Sequence, residues 1–181
     1  MYNIKNGDIL LTYDSDRFPS RLINALLKPY SQRPDLDISH VAIVTGDKIL
    51  EALMSGVTYT KIDEFFKRNE QIITLRPQPI VSIPKFIKSV KKWKGKKYGW
   101  IQIFLNLCIW FLNLPFRLFK KDIRKFLKKD FDPNVICSEL AAIGLEEQGL
   151  YVIKKIKSHN ILPTDWIKCP FYDVVEIKEK K

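Results

Sequence analysis

The chain has 181 residues, 46% of them hydrophobic and 28% charged. That balance excludes a disordered or fibrous chain and allows one domain with a sizeable core. Lys and Arg number 31 against 20 Asp and Glu, a net charge of +11; the surplus calls for an anionic partner without choosing among nucleic acid, an acidic membrane surface and an acidic substrate.

Cys108, Cys137 and Cys169 are too few and too scattered for a disulfide scaffold. No CxxC pair or His/Cys cluster offers zinc spacing, so no metal and no cofactor is expected. A reduced, intracellular setting fits this cysteine usage. The stretch MYNIKNGDILLTYDSD lacks a basic region followed by an apolar run. No secretory signal is therefore expected, and a cytoplasmic location is.

In chain order, Gly7–Tyr13 reads as a buried strand after a turn. Ser20–Leu27 has helical spacing with Ser20 as N-cap, and Lys28–Asp37 reads as a loop. Ser39–Thr45 and Lys48–Ala52 are short apolar strands, with Gly46-Asp47 as a tight turn between them. Ile62–Lys67 reads as a short helix and Gln71–Arg76 as a strand. Ser82–Trp93 is amphipathic: Ile83, Phe86, Ile87, Val90 and Trp93 share one face, while Lys85, Lys88, Lys91 and Lys92 fall mostly on the other.

Trp100–Phe119 is apolar nearly all round. Its run before Pro115 is about 15 residues, short of the roughly 20 that a membrane span needs. Seven basic residues follow between Arg117 and Lys129, with only Asp122 opposing. After a turn at Pro133-Asn134, Cys137–Gln148 reads as a helix with Gly149 as a suitable C′ residue. Tyr151–Lys157 and Tyr172–Lys178 read as strands. No repeat or linker divides the chain. The simplest organisation is one α+β domain over residues 1–181, with an apolar and basic helical insertion at about 99–132.

Cys137 follows a turn and opens a helix, where free N–H groups and the helix dipole favour a thiolate. A cysteine nucleophile needs a base, and the base needs an orienting partner. If Gly46-Asp47 is a two-residue turn, Thr45 pairs with Lys48 and Ala42 with Glu51. His40 shares the face of Ala42, so Glu51 becomes its diagonal neighbour, at about 7–8 Å along the backbone and within side-chain reach. A one-residue slip would separate the two. His159, in the polar stretch KSHNILP, reads as a surface or capping residue. Cys108 reads as apolar filling inside its run, and Cys169 has no visible partner.

GDILL near the start, SHVAIV, LEA one hairpin later, KKYGW, and ICSEL opening a helix resemble, in this order, the signature of the YaeF/YiiX family. These are circularly permuted papain-like amidases within the NlpC-type cysteine peptidase superfamily, and lecithin–retinol acyltransferase-like enzymes share the permuted order. The resemblance implies an antiparallel sheet with the nucleophile at a helix N-terminus. It implies Cys137 as nucleophile, His40 as general base and then acid, and Glu51 as its orienter. Tyr98 matches the family tyrosine near the site, where its hydroxyl would help hold an oxyanion beside the backbone N–H of Cys137. The reaction implied is acyl transfer through a thioester, on a cell-wall-type peptide, an N-acyl amino acid, or a lipid amide or ester. No cofactor is required.

The apolar and basic segment keeps three readings: an internal hydrophobic hairpin, an interfacial membrane element, or a partner interface. Lys85–Lys97 adds seven more lysines with no acid among them. An anionic membrane surface is thus a candidate partner, with peripheral attachment. Nucleic acid is not expected, since no recognised nucleic-acid motif appears. The alternative to an enzyme is a catalytically inactive papain-like module that binds an anionic membrane or a protein.

Overall fold

The computed structural model describes residues 2–13, 36–99 and 134–179. The helix expected at Ser20–Leu27 and its loop, Cys108, and the apolar and basic stretch from Trp100 to Lys129 lie outside the described residues.

The architecture is α+β. A six-stranded antiparallel sheet is built from β1 (Ile9–Tyr13), β2 (His40–Val44), β3 (Lys48–Leu53), β4 (Gly56–Lys61), β5 (Gln71–Pro77) and β6 (Tyr172–Glu179). The strand order is β4-β3-β2-β1-β5-β6. Among the described residues, the α-helices are α1 (Ile62–Arg68), α2 (Ile83–Lys91) and α3 (Cys137–Glu146). Among the described residues, no helix is long and apolar enough to cross a membrane.

Alternation along the strands sorts their side chains into two layers. Ile9, Leu11, Val41, Ile43, Leu50 and Ala52 form one core with Phe86 and Val90 of α2 and with Leu140 and Ala141 of α3. Leu10, Ala42, Val44, Ile49 and Ile72 form the other with Phe65 of α1. The central strands are therefore buried on both sides. That is why ILLTY and HVAIV read as apolar runs rather than as alternating patterns.

Register in the β2–β3 hairpin follows from its turn. Gly46 takes φ +78° while Asp47 does not enter the left-handed region. This is the pattern of a type II′ two-residue loop, whose twist matches the flanking strands. The Thr45 N–H donates to the Lys48 carbonyl at 2.8 Å. Ala42 accordingly pairs with Glu51, and Val44 with Ile49.

Helix α3 ends as its sequence suggests. Gly149 has φ +75°. The Leu150 N–H donates to the Leu145 carbonyl and the Gly149 N–H to that of Glu146, the paired bonds of a Schellman motif. On α2, Phe86, Ile87 and Val90 are buried, and Lys85, Lys88 and Lys91 are exposed.

One strand was not anticipated and two expectations need correction. Gly56–Lys61, not anticipated as a strand, pairs along all of β3 as β4. Tyr151–Lys157 is not a strand: Lys155 adopts φ +69° and reverses the chain. Val152 and Ile156 enter the core from this turn, a spacing of four rather than the strand period of two. His159 is buried, not on the surface. Its short 3-10 turn is pinned beside α3 because the Ser138 hydroxyl donates to the Ile161 carbonyl at 2.6 Å.

Candidate active site

The structure brings Cys137, His40, Glu51 and Tyr98 together. His40 is the first residue of β2 and keeps 16% of its side chain exposed, while Glu51 is fully buried. The imidazole Nε2 lies 3.0 Å from Glu51 Oε2. The imidazole also hydrogen-bonds the Cys137 sulfur. With Nε2 committed to Glu51, Nδ1 is the nitrogen left for the sulfur. The strand end matters here, because Glu51 shares the Ala42 face of the hairpin whereas Cys137 joins the core on the α3 side. A ring at the end of the strand reaches both.

Cys137 opens α3 after Ile136. Ile136 supplies no side-chain acceptor, so the first amides of the helix are not capped in the usual way. Glu139 reaches back instead, its carboxylate accepting from the Ile136 N–H at 3.3 Å. The Ser138 N–H turns to the Cys137 sulfur, as does the N–H of Val41. Tyr98 is placed by a short bridge to Val135, two residues before the cysteine. Its hydroxyl donates to the Cys137 sulfur.

Electrostatics follow from these contacts. Burial pushes the Cys137 thiol up, but the charge and hydrogen bond of His40 and the two backbone amides outweigh it and hold the thiol below its ordinary value. Burial alone would lower His40; the Cys137 thiolate, then Glu51, raise it to about 9. Burial and the neighbouring thiolate both keep the Tyr98 hydroxyl protonated, well above its usual range. Burial pushes Glu51 up, yet His40, Arg68 and Thr60 together hold its carboxyl low. Cys169 is the internal contrast. It too is buried, and burial without a cation raises its thiol to about 11.

Two members of the site were not anticipated. Thr60 on β4 donates its hydroxyl to Glu51 Oε1, and Arg68 at the end of α1 donates from Nη2 to Glu51 Oε2. The signal for Thr60 was the alternation of GVTYTK, which places Thr58 and Thr60 on the face of Glu51. Among the described residues, no group of three His, Cys, Asp or Glu side chains could hold a metal ion.

No protein-family model matches this chain, and no curated protein matches it.

Proposed function

We propose that the protein is a cysteine-dependent hydrolase or acyltransferase acting on an amide or ester through a thioester, with a circularly permuted papain-like fold. The observation that carries this reading is the position of His40, hydrogen-bonded to Glu51 on one side and to the Cys137 sulfur on the other. A nucleophile, a base and an orienter in contact are what covalent acyl transfer requires.

In the proposed reaction, the Cys137 thiolate attacks the carbonyl carbon and the C=O electron pair moves to oxygen. The Tyr98 hydroxyl and the Cys137 backbone N–H stabilise that oxyanion. The His40 imidazolium gives its proton to the leaving amine or alcohol as the C–N or C–O bond breaks. Neutral His40 then takes a proton from water, which attacks the thioester, and the thiol group leaves with the proton restored to the Cys–His pair. Another nucleophile in place of water gives transfer. The net charge of +11 and the apolar sequence of residues 100–119 favour an acylated or lipid-like substrate, with a cell-wall peptide as the other choice.

A thiol-directed probe at neutral pH tests this reading. Cys137 should be labelled ahead of Cys108 and Cys169, and His40→Ala should slow that labelling by about 100-fold, as the thiol returns to a buried cysteine's range. Incubation with simple amide and ester substrates should leave an acyl mass on Cys137. Equal reactivity of the three cysteines would sink the enzyme reading.

One observation favours the alternative of an inactive binding module. Lys85, Lys88, Lys91, Lys94, Lys96 and Lys97 are all exposed, and this basic stretch runs directly into Tyr98. Such a surface suits anionic lipid headgroups. Pelleting with anionic liposomes that weakens with salt, together with an unreactive Cys137, would favour that module; no pelleting at low salt removes the membrane partner.

A further inference from the structure

Glu51 is fully buried, and its two oxygens are held from two further elements. Thr60 Oγ1 donates to one oxygen and Arg68 Nη2 to the other, which also faces His40. Arg68 itself is fixed: its guanidinium lies 5.1 Å from the centroid of the Phe65 ring, and its side chain is only 17% exposed. A carboxylate that merely needed burial would not require a second cation. One that must stay ionised beside a histidine whose charge changes during a reaction does. When His40 gives up its proton, Arg68 remains to balance Glu51.

We propose that Arg68 and Thr60 are positioning residues of the site, clamping Glu51 as an oriented anion through the catalytic cycle so that His40 keeps its place and its charge. This rests on the hydrolase reading above. Among the described residues, the charged groups at Glu51 are His40 on β2 and Arg68 on α1, with the Thr60 hydroxyl on β4. Cys137 of α3 and Tyr98 meet His40 from its other side. Without Arg68, Glu51 takes up a proton at higher pH. Neutral Glu51 no longer supports the imidazolium, and the Cys137 thiolate loses its cation. The thiolate then first appears at higher pH.

The test is the rate of Cys137 alkylation by iodoacetamide against pH, read on the Cys137 peptide, in the full chain and in Arg68→Gln, Arg68→Lys, Thr60→Val and Thr60→Ser. Arg68→Gln should move the acid limb to higher pH, by no more than the roughly one unit at the lower end of what losing an adjacent arginine does to the carboxylate itself. Arg68→Lys should recover part of the shift, since the charge stays but the fork is lost. Thr60→Val should move the limb in the same direction and Thr60→Ser should restore it. Melting temperatures identify which variants are folded. If Arg68→Gln does not fold, the lysine variant and the threonine pair decide. Folded variants whose acid limb coincides with that of the unaltered chain overturn the proposal and leave Arg68 as a tie between α1 and the sheet. An unreactive Cys137 in the unaltered chain instead overturns the hydrolase reading.

Discussion

Replacing Glu51 by Gln keeps the side chain's shape and removes its charge. The carbonyl of the amide can accept from His40 and Arg68, and its amino group can face Thr60, whose hydroxyl turns to accept. Shape survives; what the imidazolium loses is a charged acceptor. A hydrogen bond to a charged group contributes about 1.5–3 kcal/mol and a neutral one about 0.5–1.5. The difference of roughly 1–1.5 kcal/mol is about one pH unit. A carboxylate stabilises the protonated ring, so its removal lets the proton leave at lower pH. His40, now raised to about 9, should then lose its proton at lower pH, by roughly one unit. The assay compares iodoacetate with iodoacetamide at Cys137. The imidazolium attracts the anionic reagent, so the rate ratio falls as His40 loses its proton. That fall should come at about one unit lower pH in Glu51→Gln than in the unaltered chain. A fall at the same pH in both would refute the idea that Glu51 acts on His40. The same change leaves Arg68 without its anion, at a cost of up to about 3–5 kcal/mol in stability, so the assay is run below the variant's melting temperature.

Tyr98→Phe removes the hydroxyl from the sulfur and should slow formation of the Cys137 thioester by about 10²-fold, as loss of an oxyanion donor does. An unchanged rate in single-turnover mass spectrometry would leave Tyr98 as a packing residue. Gly144→Ala places a Cβ 2.5 Å from the Phe86 ring and 2.9 Å from Val90, where α3 meets α2. The expected loss is about 1–3 kcal/mol, visible as a lower melting temperature, while alkylation of Cys137 in the folded protein should hold. An unchanged melting temperature would show slack between the two helices that these distances deny.

The parts of the fold that the sequence makes legible are those written in local chemistry. Gly46-Asp47 sets the turn, the turn sets the register, and the register puts Glu51 beside His40. Cys137 at the start of α3 and Gly149 at its end are equally local. What stayed hidden was decided elsewhere. Val152 and Ile156 look strand-like by composition, but docking of the turn against α3 governs them: Glu146 accepts from the Ser158 N–H at 3.0 Å and from Lys157. His159 sits among polar residues in sequence, yet its turn is drawn into the core by Ser138. Arg68 reads as an ordinary basic residue at a helix end. Only the approach of α1 to β3 gives it a partner.

Cys137 and Cys169 show why the site cannot be reduced to a reactive residue type. Both are free and buried. Cys169 has burial and little else, and its thiol is pushed up to about 11, which makes it a poor nucleophile at neutral pH. Cys137 suffers the same desolvation and ends below its ordinary value. The difference comes from a histidine at a strand end, the Val41 amide beside it, and the Ser138 amide that an uncapped helix leaves free. They come from two separate stretches of chain, and each is ordinary alone. The lowered thiol is therefore a property of the tertiary arrangement, and the histidine in turn contacts a carboxylate that two further elements hold in place.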